Sequence, residues 1–173
     1  MAVSIGSFNL HGWNQGSSYL KELCNDCDIL LVQEHWLLPQ GLTKLNNFDA
    51  NYIGISSSAM SHVITKGILK GRPHGGIGIL VNKKLVSNFK CIVVSERFIA
   101  ISVGGLLIIN VYLPNCVDMD IYADIMTALM VDIRDIINKN RQLKVLTAGD
   151  FNFVFDDAHA GCLFLHDLMN DFN

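Results

Sequence analysis

The stretch DILLVQEHW, residues 28–36, runs through four successive apolar residues and then meets Gln33 and Glu34. A short continuous apolar run bounded by polar residues reads as a strand buried on both faces. A carboxylate at the end of such a strand is out of place in a core, because an ionised group buried unpaired is costly. The same design recurs three times: SFNLHG at 7–12 carries Asn9, INVYLPN at 109–115 carries Asn110 and Tyr112, and TAGDFN at 147–152 carries Asp150 and Asn152. Four apolar runs ending in carboxylates, amides and a phenol predict a site assembled from strand ends.

Working outward, further strands are expected at 2–10, 48–55, 76–82, 89–94, 97–103, 106–111 and 143–148. Gly104-Gly105 between two of them signals a hairpin. Ser17 or Ser18 is placed to cap a helix that runs to about residue 26. Residues 118–140 switch period: Ile121, Ile125, Leu129, Ile133 and Ile137 recur every fourth residue, which predicts an amphipathic helix packed by that stripe. A short helix is expected over 160–168, and the polar, glycine-containing segment 56–75 reads as a long loop. Strands interleaved with helices, without repeats or an evident linker, predict one α/β domain of packed sheets with helices outside.

Composition narrows the class. The 173 residues are 50% hydrophobic and 17% charged, which argues for a real core and against disorder. There is no signal-peptide pattern and no apolar run of membrane-spanning length, so an intracellular protein without a membrane partner is expected. Five cysteines without framework spacing, including Cys24 and Cys27, read as free thiols in a reducing compartment. The net charge is −3, yet residues 50–95 contain no acid and hold six of the thirteen basic residues. That segment, with Lys70, Arg72 and His74 in its loop, reads either as a phosphate-facing surface or as a solvated loop.

The polar residues each admit two readings. Glu34 is a Mg²⁺ ligand, since Mg²⁺ takes one or two carboxylates with water and phosphate oxygens, or a surface carboxylate past the strand. Asp150 and Asn152 follow Gly149, which permits a tight turn. They are a water-activating acid with a phosphoryl hydrogen-bond donor, or an Asx turn. Asn9 ligates a metal or closes a turn, and Tyr112 donates to a phosphate or packs beneath a loop. None of His11, His35, His74, His159 and His166 has metal-ligand spacing with another.

Taken together, SFNLHG, LLVQEHW, GGIGILV (75–81), LLIINVYLPN (106–115) and LTAGDFN (146–152) closely resemble the endonuclease/exonuclease/phosphatase superfamily. Within it they are most similar to the apurinic/apyrimidinic-type endonuclease domains of non-LTR, LINE-type retrotransposons. The resemblance implies a four-layer α/β/β/α sandwich of two mixed sheets with the active site at one end. It implies Mg²⁺ (or Mn²⁺) held by Glu34 with Asn9 close by, Tyr112 on the scissile phosphate, Asp150 activating water and Asn152 stabilising phosphoryl charge. Lys70, Arg72, His74 and Asn110 are then expected to bind substrate. The implied substrate is DNA, the implied site of action is nuclear, and the implied companion is a reverse transcriptase domain in a full-length element.

The family pattern continues with further strands and a terminal Ser-Asp-His motif, and none of the six histidines here stands in such a run. The second sheet is therefore expected to be incomplete, with an unpaired edge, and nuclease activity to be low or absent. Another phosphoesterase of the superfamily, or a nucleic-acid-binding module without turnover, is the alternative.

Overall fold

Alternation along the strands builds two sheets in a computed structural model, which describes residues 2–61, 64–65, 68–69, 71–115, 118–155 and 159–171. The chain divides into two compact units, Met1–Tyr112 with Lys144–Asp150, and Leu113–Leu143 with Phe151–Asn173. In the first unit, β1 (Ile5–Asn9), β2 (Ile29–Gln33), β3 (Tyr52–Ser57) and β6 (Ile77–Asn82) form a sheet in the order β1-β2-β6-β3. The pair β1–β2 is parallel and the others are antiparallel. A second sheet has the order β10-β9-β8-β7, from β7 (Phe89–Val94), β8 (Phe98–Val103), β9 (Leu106–Tyr112) and β10 (Lys144–Asp150). Here β10–β9 is parallel and the remaining pairs are antiparallel, so both sheets are mixed. The expected class, two mixed sheets in an α/β fold with helices, is the one observed.

The sheets meet face to face through Ile29, Leu31, Ile77, Ile79, Val81, Ile99, Ile101, Val103 and Ile108. Residues of the opposite parity, Leu30, Val32 and Leu80, join Leu10, Leu20, Leu37, Leu45 and Tyr52 in a second cluster beneath helix α1 (Trp13–Leu23) and the short α2 (Thr43–Asn46). Every residue of β2 is thus buried, which is why its sequence is apolar without alternation.

Helix α1 begins five or six residues earlier than the serines suggest. Its N-cap is Gly12, which offers no side chain, and Trp13 N–H donates instead to the carbonyl of His35. The segment expected as a loop over 56–75 contains two short strands, β4 (Ile64–Thr65) and β5 (Ile68–Leu69), paired antiparallel. Gly149, at φ +137, has no room for a side chain, since a Cβ there would lie 2.1 Å from the Val111 carbonyl oxygen. That close approach holds the end of β10 against β9. Strand β10 pairs only with β9 among the described residues, and Val145 and Leu146 on it are exposed.

The second unit contains α3 (Met119–Lys139) and α4 (Ala160–Asn170). Asp118 caps α3 by accepting from the N–H groups of Asp120 and Ile121. Arg134 on α3 pairs with Asp167 and Asp171 at the end of α4.

A buried polar group also joins the two sheets. Period two carries Asn110 to the same face of β9 as Ile108, and Gln33 to the same face of β2 as Ile29 and Leu31. Asn110 is fully buried, donates to the carbonyls of Val32 (3.2 Å) and Gly78 (2.8 Å), and accepts from Gln33 Nε2 (2.6 Å). Gln33 in turn exchanges weaker contacts with Ser7. This corrects the reading of Asn110 as a substrate-binding residue: a buried carboxamide with its polar atoms so engaged offers nothing to a ligand. Replacing Asn110 by Ala removes three buried hydrogen bonds and leaves a gap between the sheets, so we expect unfolding in urea to show a loss of about 3 kcal/mol.

Candidate active site

The strand ends that carry the polar residues converge within the first unit. Asn9 at the end of β1 donates its Nδ2–H to Asp150 Oδ2 at the end of β10, 2.7 Å away. Its Oδ1 accepts the His11 backbone N–H at 3.0 Å. Asn9 therefore orients Asp150 directly, although 141 residues separate them in sequence. Tyr112, at the end of β9, pairs in register with Asp150 and points its hydroxyl at Glu34 Oε1, 3.3 Å away. Asn9, Glu34, Tyr112 and Asp150 thus form one constellation.

Glu34 reaches this place through unusual backbone. Strand alternation would set it on the side of Leu30 and Val32, away from the second sheet. It instead has φ +53, as His11 (φ 47) and Trp36 (φ 55) also have left-handed values. Such values in non-glycine residues cost energy and persist only where surroundings enforce them. The enforcement is visible: Glu34 N–H donates to Gly76 O, Trp36 N–H to Gly75 O, and Gly12 N–H to Glu34 O, at 2.8–2.9 Å. The same turn brings Trp36 Nε1–H to Glu34 Oε2 at 3.2 Å and places His11 Nδ1 3.7 Å from that oxygen.

His35, between Glu34 and Trp36, is fully buried. Its Nδ1 accepts the Leu37 N–H (2.9 Å), which leaves Nε2–H to donate to Ser57 O (3.0 Å) and defines the neutral tautomer. Gly76, at φ +89, packs so closely that a Cβ would lie 2.3 Å from the imidazole. Burial pushes the His35 pKa down to about 4, against the opposing carbonyls of Ser57 and Ile77.

Tyr112 is pushed the other way. Burial first, then the negative charge of Glu34, raise its pKa to about 12, with Arg97 opposing. The Arg97 guanidinium lies over the phenol ring, 5.5 Å from its centre. The hydroxyl accordingly stays protonated at neutral pH and is a hydrogen-bond donor.

The remaining expected residues fall elsewhere. Asn152 belongs to the second unit, has φ +54, and donates to Leu113 O at 2.8 Å. Arg72 and His74 are exposed on the segment that runs into Gly75 and Gly76, whose carbonyls hold Trp36 and Glu34. Lys70 and Lys66 lie outside the described residues. The acid-free segment is not one surface: Lys84 pairs with Asp28, and Lys83 donates to Ala50 O, both at the end of β2 opposite Glu34. Trp36, His11 and Arg97 were not singled out by sequence. The EHW triplet was the available signal for Trp36, whereas the place of Arg97 over Tyr112 left no sequence trace.

The donors suit a hard divalent cation. Glu34 supplies carboxylate oxygens and is 17% exposed at its side chain, and Asn9 supplies a carboxamide oxygen. Among the described residues no three His, Cys, Asp or Glu side chains cluster as a closed cage. One carboxylate completed by water and substrate oxygens is the usual Mg²⁺ arrangement.

A family model described as the Endonuclease/Exonuclease/phosphatase family matches residues 6–159. The chain belongs to the Endonuclease/Exonuclease/phosphatase family. None of the curated proteins matches it in sequence. Among solved structures it is similar to the 3′ phosphatase NExo from Neisseria bound to product DNA hairpin, at 19% identity and TM-score 0.69, over 98% of this chain and 71% of that one. It is also similar to the AP endonuclease LMAP from Leishmania major, at 12% identity and TM-score 0.70, over 99% and 67%. A third is an AP endonuclease from Archaeoglobus fulgidus, at 18% identity and TM-score 0.65, over 98% and 70%. At these identities the likeness establishes the fold of this endonuclease/exonuclease/phosphatase family member and no more.

The depressed pKa of His35 has a thermodynamic consequence. Below pH 6.5 the unfolded chain binds a proton that the folded chain refuses until about pH 4. Stability from this group is therefore whole above pH 6.5 and falls as pH drops, by about 3 kcal/mol at most. Urea unfolding between pH 7 and 4 should show this slope, and His35→Gln should flatten it.

Proposed function

We propose that the chain is a metal-dependent phosphodiester hydrolase acting on DNA, of the retrotransposon endonuclease type. The observation that carries this reading is the constellation of Glu34, Tyr112, Asn9 and Asp150 at neighbouring strand ends. Family membership and the DNA-processing relatives support it. The resemblance of LLVQEHW, LLIINVYLPN and LTAGDFN to LINE-type endonuclease domains supports the finer assignment.

In this reading Glu34, with Asn9 close by, holds Mg²⁺ or Mn²⁺, which when bound polarises a phosphoryl oxygen as a Lewis acid. Asp150, oriented by Asn9, aligns a water molecule and takes its proton as the new oxygen–phosphorus bond forms. The bond from phosphorus to the leaving oxygen breaks in line. The protonated hydroxyl of Tyr112 donates to a phosphoryl oxygen, where negative charge develops. Arg72 and His74 contact the phosphate backbone, the role the resemblance also gives Lys70. A reverse transcriptase domain in the full-length element and a nuclear site of action belong to this proposal. No helix among the described residues is long and apolar enough to cross a membrane.

A second reading is a DNA-binding module without turnover. It is favoured by one feature, the exposed Arg72 and His74 beside the site, which would serve binding alone equally well. In the first reading the leaving oxygen takes its proton from solvent. Single-turnover nicking of supercoiled plasmid in Mg²⁺ separates the two. We expect nicking that stops with EDTA and falls at least about 100-fold in Glu34→Gln and in Asp150→Asn, with Tyr112→Phe losing about 10-fold. DNA binding without nicking, weakened by Arg72→Ala, selects the second reading. Nicking unchanged by both carboxylate substitutions refutes the first.

A further inference from the structure

Glu34 adjoins a cavity that the roles above leave unused. It has a volume of about 350 Å³ and lies in the first unit. Both tryptophans of the chain, Trp13 and Trp36, line it. Trp36 connects the cavity to the site, because its indole N–H donates to Glu34 Oε2. Gln15 and Gln40 bring exposed carboxamides to the walls, and Lys44 brings an ammonium group. Pro73 also lines the cavity, so its chain neighbours Arg72 and His74 stand beside the opening.

These groups match one kind of ligand. A nucleobase offers a flat apolar face, which aromatic rings bind, and an edge of alternating donors and acceptors, which carboxamides can read on both counts. The phosphates attached to it call for cations at the rim. The volume lies in the usual range for small-ligand sites. A free inorganic anion would use neither indole, and a purely apolar ligand would use neither glutamine.

We propose that this cavity takes an unpaired nucleobase of the DNA strand, next to the phosphate held at Glu34. The proposal rests on the hydrolase reading, and it makes base identity beside the cut a determinant of target choice. Enzymes that act at one nucleotide commonly seat an unstacked base between aromatic and apolar side chains.

Because both indoles line the cavity, intrinsic tryptophan emission reports on its occupancy. The test titrates the whole chain in EDTA with a fluorescein-labelled single-stranded DNA octamer, following label anisotropy and tryptophan emission together. A single abasic position is then moved through the octamer. Removing the base at one or two adjacent positions should weaken binding at least about fivefold and reduce quenching. In the Gln15→Ala/Gln40→Ala double variant, shown folded by its circular dichroism melting curve, that position dependence should vanish.

Equal affinity for every abasic position, or an unchanged profile in the double variant, overturns the pocket and leaves the hydrolase reading standing. No anisotropy change at all overturns the pocket, and the hydrolase reading is then decided by the plasmid nicking assay alone. Tighter binding of an RNA octamer of the same sequence overturns DNA as the occupant.

Discussion

The carboxamide of Asn110 spans the two sheets, and the position of the site follows from that link. It donates to carbonyls on β2 and β6 while accepting from Gln33, all inside a layer that is otherwise aliphatic. Aliphatic contacts between sheets tolerate sliding, because hydrophobic attraction has no direction. A buried amide does not, since a shift of one residue would leave several polar groups unsatisfied at once. Asn110 lies two residues before Tyr112, and Gln33 one residue before Glu34. The same link that registers the sheets therefore brings the phenol to the carboxylate.

Around this register the chain spends backbone energy. Three non-glycine residues, His11, Glu34 and Trp36, adopt left-handed conformations within or beside two strand ends. Each costs on the order of 1 kcal/mol. Hydrogen bonds from Glu34 and Trp36 to Gly75 and Gly76, and from Gly12 and Trp13 back to Glu34 and His35, offset that cost. The neutral imidazole of His35 fills the space beneath the turn. The outcome is a carboxylate turned out of the strand alternation and held by an indole and a phenol.

The strands from β6 to β9 were legible in sequence, because buried aliphatic runs and the Gly104-Gly105 turn are local signals. The start of α1 was not: its cap is a backbone carbonyl supplied by His35, and Ser17 and Ser18 lie inside the helix. Helix α2 is four residues long and too short to show a period. Glu34, Asp150, Asn9 and Tyr112 stood out as polar residues ending apolar runs. Their partnerships did not, because Asn9 with Asp150 is a contact across most of the chain. Asn110 shows the limit of the same signal. A polar residue ending a strand marks either a site or a link between sheets, and only the face it occupies decides.

The most direct measurement is a Mn²⁺ titration of ¹⁵N-labelled protein, followed by paramagnetic broadening of its amide and indole signals. We expect the Trp36 indole N–H and the amides around Glu34 and His11 to broaden first, and Glu34→Gln to abolish that pattern. Broadening centred at the other end of β2, near Asp28 and Asp49, or a pattern unchanged in Glu34→Gln, would contradict a cation site at the strand ends.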